Sequence, residues 1–120
     1  IVEEPSEMIE FYDFGQITID GKRYSRDLVI LPDRVKDNWW RREGHQLSMH
    51  DLKEVVEANP EVLIVGTGYN GYMDVPSDVR EFFASKNIEL IVEKTSEAVK
   101  TYNRLAQSKR RVLAAFHLTC

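Results

Sequence analysis

Three runs in the second half of the sequence leave little choice of fold: residues 62–65 read VLIV, 88–92 read IELIV and 112–118 read VLAAFHL, apolar at almost every position. A strand with one wetted face alternates polar and apolar residues, so runs of this kind must be covered on both faces. The stretches between them carry helical periodicity instead. Ser77 is placed to cap a helix with Val79, Phe82 and Phe83 on its core face. Thr95 or Ser96 opens another, with Ala98, Tyr102, Leu105 and Ala106 along one side. Buried strands separated by helices predict an α/β domain built on a buried, largely parallel sheet.

The first third of the chain lacks helical periodicity and is cut by turns. Residues 14–19, FGQITI, reach Asp20-Gly21, and Lys22-Arg23-Tyr24 lead away. That is a hairpin signature, because both turn residues tolerate the positive φ a two-residue connection demands. Residues 28–31, LVIL, form a further strand ended by Pro32-Asp33, and residues 36–42 read as one more extended piece. Ser48 with Asp51 three residues on is a capping pair, and Leu47 and Leu52 are spaced for a hydrophobic staple. The helix they start buries Leu52, Val55 and Val56 and stops at Asn59-Pro60. Residues 1–120 are thus expected to form one domain with an N-terminal β-hairpin region, long enough to bury ~65% or more of the unfolded surface.

Charge argues against nucleic acid as a partner: 16 basic against 20 acidic residues give a net charge of −4, which repels phosphate backbones. Arg41-Arg42 and Lys109-Arg110-Arg111 are too short to reverse that field, although a small anion site stays open. The only cysteine, Cys120, leaves no intrachain disulfide and fits a reducing compartment, so the cytoplasm is the expected location. The four-residue run at 62–65 is far short of the roughly 20 residues that cross a bilayer, so no membrane association is expected. No signal or transit segment is visible, in a chain that begins with Ile.

After the first apolar run comes GTGYNG, with Gly66, Gly68 and Gly71 in the G-x-G-x-x-G spacing of dinucleotide-binding loops. Glu93 ends the next strand, about where an acid would hold a ribose. In the nucleotide fingerprint, however, the helix starts within the glycine loop, and here Tyr72 to Pro76 intervene before Ser77. The chain also supplies one mononucleotide-type half only. A strand-end turn needing positive φ is the favoured reading, and no cofactor is expected. Because ligands of open parallel sheets sit at the carboxyl ends of strands, Gly66, Thr67, Gly68, Tyr69 and Asn70 remain candidates for a small-ligand site.

WWRREGHQL, residues 39–47, holds the other candidates. On extended backbone Trp39 and Arg41 share one side and Trp40 and Arg42 the other, so one tryptophan should be less buried. Aromatic and arginine side chains together are the composition of an interaction hot spot, as well as of plain cation–π packing. His45 stands in a loop where it can act as a base or an anion contact, with Arg42 nearby as a second anion contact. The three histidines and Cys120 show no metal-ligand spacing, so no metal is expected, and nothing nearby activates Cys120 as a nucleophile.

Taken in order, ITIDGKRYSRDLVILPDRV, WWRREGHQLSMHDL, VLIVGTGYNG, SEAVKTYNRL and RRVLAAFHLTC resemble the adipogenesis-associated Mth-domain family over about residues 13–120. That family includes small archaeal and bacterial proteins, a cytosolic animal protein linked to fat-cell differentiation and a mitochondrial assembly factor for respiratory complex I. The resemblance implies a compact three-layer α/β domain with a central mixed sheet and an added β-hairpin region. It supplies no catalytic residues. Gly66, Thr67, Gly68, Thr101, Tyr102 and Asn103 match the family pattern, whereas Ser108-Lys109-Arg110 stands where Glu-Gly-Arg is common.

The favoured functional expectation is a non-enzymatic protein-interaction or assembly domain with an unidentified protein partner, contacted through Trp39, Trp40 and Arg41. Self-association is also open. The alternative is a small-molecule or anion-binding domain, or an enzyme, with its site at the Gly66–Gly71 loop beside His45 and Arg41 or Arg42.

Overall fold

A computed structural model describes residues 8–120. β1 (Ile9–Asp13), β2 (Gln16–Ile19) and β3 (Lys22–Tyr24) make a small antiparallel sheet. Asp20 and Gly21 join β2 to β3 with φ of 51° and 81°, the left-handed pair a tight hairpin needs. The expected hairpin is therefore present, and β1 adds a strand to it. Asn103 holds β1 at its start, accepting from the Ile9 N–H and donating to the Ile9 carbonyl, as a neighbouring strand would.

β4 (Leu28–Ile30) and β5 (Val35–Asp37) form one side of a second sheet. The chain then passes through a 3-10 turn (Met49–Leu52), α1 (Lys53–Glu57), β6 (Val62–Thr67), α2 (Ser77–Ser85), β7 (Glu89–Glu93), α3 (Thr95–Leu105) and β8 (Val112–His117). The five strands lie in the order β5-β4-β8-β6-β7. β6 is parallel to β7 and β8, while β4 is antiparallel to β8 and β5, so the sheet is mixed.

Strand pleating explains the apolar runs. Leu63, Val65, Leu113, Ala115 and Val29 face one layer, containing Leu52 just before α1, Val55 of α1, and Val79 and Phe83 of α2. Val62, Ile64, Ala114, Phe116, Leu28 and Ile30 face the other, containing Ala98, Val99 and Tyr102 of α3 together with Ile9, Ile17 and Ile19 of the small sheet. Three layers result, as the resemblance implies.

Two local expectations need correction. Residues 36–42 are not one extended piece: β5 ends at Asp37, Asn38 takes φ 61°, and the Trp39 N–H turns back to the Asp27 carbonyl. Ser77 is the first helical residue rather than the cap, because the Pro76 carbonyl accepts from the Val79 and Arg80 N–H groups. Ser48 behaves as expected, with the Asp51 carboxylate accepting from both its N–H and its hydroxyl and with Leu47 and Leu52 fully buried. Among the described residues no helix is long and apolar enough to cross a membrane.

Candidate functional site

The Gly66–Gly71 segment is packed against its own chain. Gly66 lies inside β6, where an added Cβ would stand 2.7 Å from the Thr95 hydroxyl and 2.8 Å from the Phe116 ring. Gly68, at φ 109°, passes so close to Thr119 and Cys120 that a Cβ would meet their backbone at 2.5 Å. Most of the N–H groups a phosphate would need are engaged within the protein. Gly68 donates to Thr95 Oγ1, Tyr69 to the Thr119 carbonyl, Tyr72 to the Cys120 carbonyl and Met73 to the Thr67 carbonyl. The Thr67 hydroxyl donates to the Glu93 carbonyl. The Glu93 carboxylate, the acid in place for a ribose, accepts from Thr101 at 2.7 Å. Tyr102 packs edge-on to Phe116, and Asn103 clamps β1, so the residues matching the family pattern hold the fold together.

The polar cluster of the domain forms beside this loop, from residues far apart in sequence. Asp27, just before β4, receives Arg41 Nη1 at 2.8 Å, His117 Nδ1 at 2.7 Å and the Leu118 N–H at 2.7 Å. Burial opposes its ionisation, but the hydrogen bonds from His117, Leu118 and Arg41 and the charge of His117 outweigh that, and its pKa lies below the usual carboxylate value. Ionised Asp27 is an acceptor only, so His117 Nδ1 carries a proton whether the ring is neutral or charged, and Nε2 turns the other way. Arg41 Nη2 donates to the Gly44 carbonyl at 2.9 Å and lies 3.1 Å from His117 Nδ1, with the guanidinium 4.7 Å above the Trp39 ring. Beyond it, Tyr12 donates to the Leu118 carbonyl; burial raises its pKa to about 12, with the Asp13, Tyr69 and Asp27 charges adding to the shift.

The Arg41 and His117 side chains are only 4% and 7% exposed. Among the described residues, Arg41 Nε and His117 Nε2 are buried with no hydrogen-bond partner. Such atoms are uncommon in folded domains and ask for an explanation. His45, exposed, covers this corner with its ring 5.9 Å from His117 and 6.2 Å from Tyr72.

Of the candidates read from sequence, His45 and Arg41 come together with His117 at the end of the glycine loop. Arg42 is exposed, and its backbone N–H donates to the Asp51 carboxylate. Trp39 is core, 6% exposed with its indole N–H on the Asp51 carbonyl, while Trp40 is 72% exposed. The asymmetry follows the expected alternation even though the backbone is not a strand. Tyr69 and Asn70 are exposed at the loop tip. Asp27 was not among the candidates: it lies 90 positions from His117, and no local pattern marks it.

Fold and cluster together define a small three-layer α/β domain with a partly buried carboxylate holding a buried arginine and histidine at the carboxyl end of its parallel strands. The model of the family described as "Protein of unknown function (DUF498/DUF598)" matches residues 9–117, and the chain belongs to that family. It is similar to the crystal structure of a conserved hypothetical protein from Pyrococcus horikoshii, with 32% identity, a TM-score of 0.78, and coverage of 93% of this chain and 98% of that one. A protein named MT938 is 30% identical, with a TM-score of 0.77 and coverage of 96% and 100%. A Mth938-like domain from Bordetella pertussis shares the fold at 22% identity, with a TM-score of 0.66 and coverage of 98% and 91%. The resemblance read from sequence is upheld.

Proposed function

We propose that the domain is a protein-interaction or assembly module that meets its partner through an aromatic rim around the 66–73 loop. The carrying observation is that Phe14, Tyr69 and Tyr72 are all exposed on backbone that is tied down. Phe14 packs edge-on to Tyr69 at 5.6 Å, and Gly15, Tyr69 and Tyr72 donate their N–H groups to the carbonyls of Leu118, Thr119 and Cys120 in turn. Large aromatic side chains held in place offer apolar area at low entropic cost, which favours association. Trp40 adds an exposed aromatic in a different cleft, of about 250 Å³, lined with Lys36, His50 and Lys53. Trp39 lines that cleft from the core side, with the Arg41 guanidinium over its ring.

The test is photo-crosslinking from position 72 in extract of the native host, with folding of each variant checked by circular dichroism. A defined protein partner, or a second copy of this chain, should be captured, with yield falling roughly tenfold in Tyr69→Ala and in Phe14→Ala. Capture indifferent to both substitutions contradicts the reading.

A further inference from the structure

A second capacity lies beneath the rim, and it does not depend on the interaction reading. We propose that Arg41 and His117, covered by His45, form a binding site for a small oxyanion, a carboxylate or a phosphate group. The Arg41 guanidinium presents five N–H donors. Nη1 serves Asp27 and Nη2 serves the Gly44 carbonyl, while Nε is buried without an acceptor. His117 is fixed by Asp27 through Nδ1, so Nε2 is the one ring atom left to exchange a proton or a hydrogen bond, and it too is buried without a partner. Both side chains are more than nine-tenths buried, so bulk water does not compensate these atoms.

The chemistry of the two atoms selects the ligand. Arg41 Nε can only donate, so the ligand must offer an acceptor. His117 Nε2 accepts when the ring is neutral and donates when it is charged. An oxyacid group satisfies both conditions: one oxygen accepts from Arg41, and the other shares a single proton with Nε2. Carboxylic acid against neutral imidazole and carboxylate against imidazolium have the same composition, and an anion that meets the neutral ring takes up that one proton from solvent.

Ionised Asp27, 2.7 Å from the same ring, balances Arg41, so the free donor and acceptor positions at Arg41 Nε and His117 Nε2 rather than net charge select the ligand. Among the described residues no three His, Cys, Asp or Glu groups stand together to hold a metal. Most N–H groups of the glycine loop are taken up within the chain, by Thr95, Thr119, Cys120, Thr67 and Gly68. The His45 ring packs edge-on to both His117 and Tyr72, at 5.9 and 6.2 Å.

The test is isothermal titration of the whole chain with acetate and, in a separate arm, with inorganic phosphate; the arm that saturates names the source of the oxyanion. Binding in the millimolar range is expected in at least one arm. Arg41→Lys, which keeps the charge and loses Nε, should weaken it roughly tenfold or more, as should His117→Gln. His45→Ala leaves Asp27, Arg41 and His117 in place and should alter affinity by a smaller factor. No saturable heat in either arm at tens of millimolar, or unchanged affinity in both Arg41→Lys and His117→Gln, overturns the proposal. If those two variants do not fold, the wild-type Arg41 Nε–H resonance decides: it must shift with the saturating anion, and a resonance that stays still overturns the site.

Discussion

Two neighbouring regions at the carboxyl end of the sheet are built on opposite principles. The glycine loop looks like a ligand site in sequence, and most of its donors are satisfied by the domain's own chain, at Thr95, Thr119 and Cys120 among others. The Asp27–Arg41–His117 cluster has no motif in sequence, and it leaves two buried nitrogens unsatisfied. Glycine spacing reports where backbone must come close to something, and here that something is protein. Chemical capacity lies instead where side chains from three distant segments meet.

Substitutions at each region should separate these roles. The largest effect is expected for Asp27→Ala, which leaves the Arg41 charge buried without its partner and should cost about 3–5 kcal/mol in urea unfolding. A cost under about 1 kcal/mol would show that Arg41 finds water or a new partner. Gly68→Ala comes next, at about 3 kcal/mol, because the new Cβ meets backbone on one side and requires an unfavourable φ on the other. An unperturbed Gly68→Ala would mean the loop has freedom to move, reopening it as a ligand site.

A smaller effect should appear on acidification. The folded pKa of Asp27 lies below its unfolded value of ~3.9, so the stability it contributes is present above that value and lost as pH falls through the folded pKa. Wild-type stability should therefore fall more steeply below about pH 4 than that of Asp27→Asn, as followed by thermal melts across pH. Parallel curves would place the acid sensitivity elsewhere. The smallest effect belongs to Trp40→Ala, which should leave stability within about 0.5 kcal/mol, whereas Trp39→Ala removes core and belongs with the largest losses.

Much of the fold was legible because hydrophobic pattern is local. The apolar runs at β6, β7 and β8, the Asp20-Gly21 turn and the Ser48–Asp51 cap each declare themselves within a few residues. β1 was not legible, since IEFYD shows no alternation and is held by Asn103 from the far end of the chain. The reach of the extended segment after β5 was misread because Asn38 turns the chain inward at a single positive φ. In the site, Arg41 and His45 stood out by composition. Asp27 did not, because a lone aspartate before a strand looks the same whether it faces water or a buried histidine.

The most direct measurement is a nuclear magnetic resonance titration of the labelled chain with acetate and phosphate, following backbone amides, the Arg41 Nε–H and the His117 ring together. Saturable shifts centred on Arg41 Nε, His117 and His45, with the amides of Gly68, Tyr69, Tyr72 and Met73 moving little, are the expected result. Shifts centred on those loop amides, with Arg41 and His117 silent, would return the glycine loop to the role its spacing suggests and contradict the assignment of binding to the buried cluster.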